Sequence, residues 1–351
     1  MSETRPKVLV GMSGGVDSSV AAALLLDQGY EVIGAFMKNW TETKCDGENR
    51  ECGWREERRD AMRVAAKLGI PFVTFDFEKE YRDKVVDNLF QEYAAGRTPN
   101  PDVLCNKYVK FDLFVKEADK LGCAFVATGH YARIEDGRLL AGSDPNKDQT
   151  YFLWAIPRDV LPRVLFPVGG MQKPVVRDMA RTFGLPTADK KDSTGICFVG
   201  EVDIRAFLKE RIPEDPGDIV TITGEIVGTH EGVAFYTIGQ RHGLNVGGGM
   251  PYYVVDKKPE TKQLIVSSNF HPQLFGKSVR AFQANWFCQP KVGDKIFARV
   301  RYRQPLQACV IVAIERENVE VAFDESVRAV TPGQSIVFYD GEEMLGGAII
   351  R

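Results

Sequence analysis

Through about residue 211 the chain alternates short apolar runs with longer amphipathic ones. The run "KVLVGM" (Lys7 to Met12) predicts a buried strand, and Val16 to Gln28 a helix closed by Gly29. "YEVIGAFM" (30–37), "IPFVTFDF" (70–77) and "CAFVATGH" (123–130) predict three more strands. Helices are expected over "EERRDAMRVAAKLG" (56–69) and around Phe111 to Leu121. Strands separated by helices of this length pair in parallel, so the pattern predicts an α/β fold with a doubly wound, mostly parallel sheet. Residues 39 to 58 are polar and aperiodic and read as a mobile insertion. In "GRTPNPDVLCNKYVKF" (96–111) two prolines argue against a helix, which puts Cys105 on or beside a loop.

From Gly217 onward the texture changes. Short segments such as "DIVTI", "PYYVVD", "KQLIVS", "KIFARVRYR", "ACVIVAI" and "SIVFY" are punctuated by Gly, Pro, Asp or Asn. That is an all-β pattern, read as a small β-rich central domain followed by a C-terminal barrel or sandwich. The expected divisions are residues 1–211, 212–275 and 276–351. "RVRYRQ" places Arg299, Arg301 and Arg303 on one face of an expected strand, where they form either a phosphate-binding stripe or a charge-protected edge.

Composition narrows the class. The 351 residues are 44% hydrophobic and 26% charged, with a formal net charge of −3, as in an ordinary globular protein. The start of the chain is charged, and the longest aliphatic run (Val20 to Leu26) is too short to cross a bilayer, so a cytoplasmic protein without a membrane partner is expected. Seven cysteines are an odd number, which is no disulfide framework, and they read as free thiols. Cys123, Cys288 and Cys309 read as small buried hydrophobes. Cys45 and Cys52 lack nearby histidines, so structural zinc is not expected.

Chemistry concentrates in "VLVGMSGGVDSSVAAALL", where a strand runs into "SGGVDSS" and straight into a helix. Gly14 and Gly15 allow tight turning and close backbone approach to an anion, and the helix N-terminus adds partial positive charge. Ser13, Ser18 and Ser19 add hydroxyl donors. No lysine follows the glycines, so this is not a kinase-type loop, and the GxGxxG spacing is absent. "SGGVDSS" resembles the PP-loop of the ATP pyrophosphatases, which grip the β,γ-phosphates of ATP and transfer AMP. The resemblance assigns ATP to Gly11, Met12, Ser13, Gly14, Gly15, Val16, Asp17 and Ser18, with Asp17 helping to hold Mg2+ or the phosphates. Met37 and Gly129 fall where a doubly wound sheet opens its ligand crevice and are expected beside the adenosine.

Further motifs narrow the resemblance. "TPNPDVLCNKYVKF", "ATGHYAR", "NKDQTYFLW", "KKDSTGICF", "YTIGQRHGL" and "TPGQSIVFYDGEEMLGGAII" together resemble the tRNA-specific 2-thiouridylase family over nearly the whole chain. The resemblance implies ATP-dependent sulfur transfer to the wobble uridine in a tRNA anticodon stem-loop. It implies that Cys197 accepts a persulfide sulfur from a donor protein and that Cys105 is its catalytic partner, leaving a transient disulfide. It assigns target-base contacts to Asn100, Pro101 and Asp102, and tRNA contacts to His130, Lys147, Asp148, Gln149, Arg301, Tyr302 and Gln334. For Asp102, acid–base work near the reacting carbonyl and a plain Asx-turn both stand as readings. Two rivals remain: another adenylating PP-loop enzyme of the tRNA lysidine synthetase kind, and a non-catalytic RNA-binding sulfur carrier.

Overall fold

The computed structural model describes residues 5–41, 53–191, 203–244, 246–247, 251–268 and 271–351. The chain divides into two units: Met1–Val85 with Pro101–Glu201 and Glu342–Met344, and Val86–Asn100 with Val202–Gly341 and Leu345–Arg351.

The first unit is built on a five-stranded parallel sheet. Its strands are β1 (Lys7–Gly11), β2 (Glu31–Lys38), β3 (Phe72–Asp76), β4 (Phe125–Ala127) and β7 (Val164–Leu165), in the order β3-β2-β1-β4-β7. β1 is central because its side chains are apolar on both faces: Val8, Leu9 and Val10 are wholly buried. α1 (Val16–Asp27) follows, and its Val-Ala-Leu run is buried nearly all round, as an internal helix must be. α2 (Gly53–Leu68) and α7 (Lys173–Thr182) are amphipathic, and Ala61, Val64, Val176 and Ala180 join α1 in one apolar cluster. A hairpin of β5 (Ala132–Glu135) and β6 (Arg138–Ala141) pairs with Glu343. The doubly wound parallel reading is therefore correct.

Local expectations changed in two places. Residues 53–58, read as part of an insertion, are the first turns of α2. The remainder of that stretch, 42–52 with Cys45 and Cys52, lies outside the described residues. "PDVLC" is helical: α5 (Pro101–Cys105) runs on through a π-helical stretch (Asn106–Leu113) into α6 (Phe114–Lys120). The sequence argument misjudged Pro101. Proline breaks a helix interior but suits the first helical position, where its missing N–H would have no partner anyway.

The second unit contains α4 (Asp87–Ala94), α8 (Ile204–Lys209) and two β assemblies. The first is a four-stranded sheet of β8 (Gly217–Thr221), β9 (Ile226–His230), β10 (Tyr253–Lys258) and β11 (Gln263–Ser267), ordered β10-β11-β8-β9. The second is a six-stranded barrel made from β12 (Phe275–Trp286), β13 (Lys295–Arg299), β14 (Gln307–Glu315), β15 (Asn318–Arg328), β16 (Ser335–Asp340) and β17 (Glu343–Ile350). Antiparallel pairing of β12 with both β15 and β17 closes it. Alternate residues such as Ile296, Ala298, Ile311, Val321 and Phe338 fill the interior. Cys309 is in this core, whereas Cys288 follows the end of β12 and is exposed, contrary to its expected burial.

Lys257 on β10 is a half-buried cation in this unit. Its ammonium donates to the Tyr236 carbonyl at 2.8 Å, and loss of hydration lowers its pKa from 10.5 to about 8. Below pH 8 both states carry the charge, and the native state bears the full desolvation cost. Between about pH 8 and 10.5 the native amine is neutral while the unfolded one is still protonated, so stability rises with pH across that window. Lys257→Met is therefore expected to stabilise the protein by about 1–2 kcal/mol at pH 7 in urea unfolding. The gain should fade as the pH passes 8 and be absent near 10.5. An equal gain at both ends would exclude charge burial as the cause.

Candidate active site

The residues expected to bind the nucleotide lie where β1 ends. Gly14 has φ +76°, and a Cβ there would sit 2.2 Å from the Glu57 carbonyl oxygen. Gly129, just past β4, is equally constrained: its Cβ would stand 2.6 Å from the Ser18 amide nitrogen. Gly15 is the N-cap of α1 and no side chain caps it. The first-turn N–H groups are therefore not satisfied by a capping side chain, the usual arrangement for anion capture at a helix start. The serine hydroxyls, expected as anion donors, are turned partly inward. Ser18 and Ser19 donate to the Gly15 carbonyl at 3.2 and 2.7 Å, and the Ser13 and Ser18 hydroxyls lie 3.2 Å apart. They hold the loop's shape.

Met37, at the end of β2, is buried, with its terminal methyl 3.0 Å from the position of a Cβ on Gly11. Two residues on, Asn39 is 2% exposed, and neither polar atom of its amide has a hydrogen-bond partner. An orphaned amide at the carboxyl end of a central strand and a glycine-walled helix start fit a nucleotide.

Asp17, in the first turn of α1, is held from two directions. The Tyr131 hydroxyl donates to its Oδ1 at 2.8 Å, and the Lys173 ammonium bridges both oxygens at 2.7 and 2.8 Å. Lys173 is the first residue of α7, is 8% exposed, and donates its backbone N–H to Asp144 at 3.0 Å. Sequence reading missed Lys173 and Tyr131. Lys173 is 156 positions from Asp17, and no local motif marks it.

Cys105 ends α5 and is completely buried. The expected exposed loop thiol is thus corrected to a shielded thiol on a helix. Asp102 is in the first turn of α5, half-buried, where an acidic side chain suits the helix start. Asn106 donates its amide to the Phe152 carbonyl at 2.9 Å, while its Oδ1 has no partner. Cys197 lies outside the described residues.

The expected tRNA contacts are dispersed. His130 is buried between Phe111 and Phe166, with Thr128 at 2.7 Å and Lys110 at 3.4 Å. Burial, aided by Lys110, puts its pKa well below 6.5, so the ring is neutral at physiological pH. Asp148 accepts from Gly142 and from the backbone and hydroxyl of Thr150, and Gln149 accepts the Tyr131 N–H at 3.0 Å. Both shape their loop; Lys147 beside them is half-buried. In the run 158–191, Arg163, Arg181 and Lys190 face Asp119, Asp178 and Asp60.

In the second unit the arginine stripe does not form. β13 stops at Arg299, which is buried over the Tyr339 ring, and Arg303 has φ +63° in the turn that follows. A turn destroys the alternation that a longer strand would have supplied. Arg301 donates to the Ile238 carbonyl at 2.6 Å and to Thr331, while Tyr302 underlies Arg303. Gln334 donates to the carbonyls of Thr98 and Pro99 at 3.0 and 3.2 Å, fixing the backbone that leads to Asn100.

Comparison with known proteins agrees with this geometry. A family model described as the tRNA methyl transferase HUP domain matches residues 6–201. Models described as tRNA methyl transferase PRC-barrel and aminomethyltransferase beta-barrel domains match 205–268 and 277–350. The tRNA-specific 2-thiouridylase MnmA 2 of Geobacillus kaustophilus is 50% identical over 356 residues, covering 99% of this chain and 95% of the relative. The Bacillus subtilis tRNA-specific 2-thiouridylase MnmA is 50% identical over 360 residues, covering 99% and 96%. The chain belongs to the tRNA-specific 2-thiouridylase family. The family's first domain coincides with the parallel sheet, and its last with the closed six-stranded barrel.

Burial orders the reactivity of the described thiols. The thiolate is the nucleophile, and burial pushes Cys309 up to about 12 and raises Cys123. Brief alkylation of the native protein at neutral pH is expected to label Cys288 well ahead of Cys105, Cys123 and Cys309, as read by peptide mass spectrometry. Labelling of Cys105 at the rate of Cys288 would contradict its shielding.

Proposed function

We propose that this protein is an ATP-dependent tRNA-uridine 2-sulfurtransferase. The observation that carries the reading is the helix start walled by Gly14 and Gly129, in a chain related to the 2-thiouridylases along its whole length.

The chemistry has two halves. The C2 oxygen of uracil is a poor leaving group, and its attack on the α-phosphorus of ATP forms a C2–O–AMP link and releases pyrophosphate. The α1 N-terminus and the glycine backbone hold the phosphates and orient them for displacement. Magnesium carried with the triphosphate supplies charge neutralisation, and Asp17 is the carboxylate suited to hold it. Asn39 and Met37 face the adenosine in this reading, the orphaned amide meeting the purine edge.

Sulfur then replaces the activated oxygen. The terminal sulfur of a Cys197 persulfide, loaded by a donor protein, attacks C2, and AMP departs with the oxygen. The Cys105 thiolate attacks the Cys197 sulfur, expelling the thiocarbonyl sulfur and leaving a Cys105–Cys197 disulfide. Attack by Cys105 before C2 addition would instead release hydrosulfide, which then attacks; both routes consume two electrons from a cellular thiol reductant. Because Cys105 is buried at rest, the helix bearing it must open when substrate binds. Asn100, Pro101 and Asp102 are assigned to the flipped base, and His130, Lys147, Asp148, Gln149, Arg301, Tyr302 and Gln334 to the surrounding anticodon stem-loop, in part by shaping its binding surface.

Unmodified tRNA incubated with the enzyme, ATP, magnesium and a sulfide source is expected to exchange oxygen for sulfur at the wobble uridine, read by nucleoside mass spectrometry. Cys105→Ser should lower turnover with a persulfide donor by about a hundredfold or more while tRNA-dependent pyrophosphate release persists. tRNA adenylation that adds no sulfur and is undiminished in Cys105→Ser and Cys197→Ser would favour the rival adenylating enzyme, and absence of pyrophosphate release would favour the non-catalytic carrier.

A further inference from the structure

A triphosphate brings several negative charges to a loop that has glycines but no lysine of its own. Backbone N–H groups and a helix terminus supply only about half an elementary charge. The loop also carries Asp17 in the first turn of α1, whose carboxylate would repel the same phosphates. The nearest cation to that carboxylate comes from elsewhere in the chain.

Lys173 reaches Asp17 from the start of α7. Its backbone is pinned by the hydrogen bond to buried Asp144, and its ammonium rests 5.8 Å from the centre of the Tyr131 ring. The backbone is fixed, whereas the ammonium ends a flexible four-carbon stem that can shift between neighbouring anions without moving α7. Asp17 has a second donor, the Tyr131 hydroxyl, and so stays hydrogen-bonded if Lys173 turns away. The Asp17 side chain is 30% exposed and that of Lys173 10%, which places the ion pair at the border between the loop and the interior.

We propose that Lys173 is the phosphate-binding lysine that the loop motif lacks. It is held by Asp17 when no nucleotide is bound and passes to the pyrophosphate part of ATP when the nucleotide enters. This rests on the PP-loop reading and extends it to a residue outside the motif. The exchange keeps Asp17 neutralised when no nucleotide is bound and gives the arriving phosphates a positioned, partly desolvated cation.

The test is equilibrium binding of magnesium-free ATP, pyrophosphate and AMP by the full chain. Lys173→Met is expected to weaken pyrophosphate and ATP about tenfold or more, with AMP changed less than about twofold. Equal weakening of all three ligands would mean a distorted loop and overturn the inference. Asp17→Asn, which removes the competing carboxylate, should tighten pyrophosphate. The double variant Asp17→Asn with Lys173→Met leaves no unpaired charge, and so separates direct contact from simple neutralisation. If Lys173 touches phosphate, the double variant binds pyrophosphate about tenfold or more weakly than Asp17→Asn alone. If the two bind alike, Lys173 serves only to neutralise Asp17 and the inference is overturned. Wild-type protein that binds neither ATP nor pyrophosphate, with or without magnesium, would refute the PP-loop reading itself.

Discussion

No side chain fits between the end of β4 and the first turn of α1. Gly129 lies against the amide of Ser18, and Gly14 against the carbonyl of Glu57, so backbone meets backbone on both sides of the loop. That closeness depends on strand order. β1 pairs in parallel with β2 on one side and β4 on the other, which brings the carboxyl ends of all three to one edge. At that edge the chain leaves β1 into the loop, β2 ends at Lys38 just before Asn39, and β4 ends at Ala127, two residues before Gly129. A methyl group at Gly129 would push α1 away from the sheet edge, one at Gly14 would collide with the backbone of α2, and either would disturb the loop's amide geometry.

The thiol obeys a different constraint. Cys105 is wholly buried on a helix, yet sulfur exchange requires two sulfurs at bonding distance and an in-line approach. In the proposed mechanism that burial means the segment must move. The backbone beyond Cys105 is suited to that. Residues Asn106–Leu113 are π-helical, a wider and less favourable winding than the α-helix and one frequent at functional sites. Asn106 adds a buried oxygen without a partner, a second weakness in the resting arrangement.

Period and punctuation made the first half of the fold legible. Alternation of apolar runs with glycine-stopped helices gave parallel pairing, and short strands between turn residues gave the barrel. Errors came where a residue type has two meanings. Pro101 was read as a breaker when it starts a helix, and "RVRYRQ" was read as one strand although the ladder ends at Arg299. Cys288 looked like a core residue, but it follows a strand end. The site was legible only where it is contiguous. "SGGVDSS" announces itself, while Lys173 and Tyr131 meet Asp17 through tertiary folding, and Asn39 is conspicuous only because its amide is buried without a partner.

Charge explains why those distant residues matter. With a net charge of −3 the chain has no general attraction for polyanions, and phosphate groups must be met by cations at chosen places. Arg163, Arg181 and Lys190 are paired with carboxylates of the same unit, and Arg299 and Arg301 rest on an aromatic ring and a carbonyl. Lys173 differs because its partner stands in the nucleotide loop itself. On the proposed exchange, the ion pair keeps an ammonium positioned beside the loop until Asp17 gives it up to the phosphates. On that proposal the scaffold would store its anion-binding charge as an internal salt bridge, where a net-basic surface would attract every polyanion in reach.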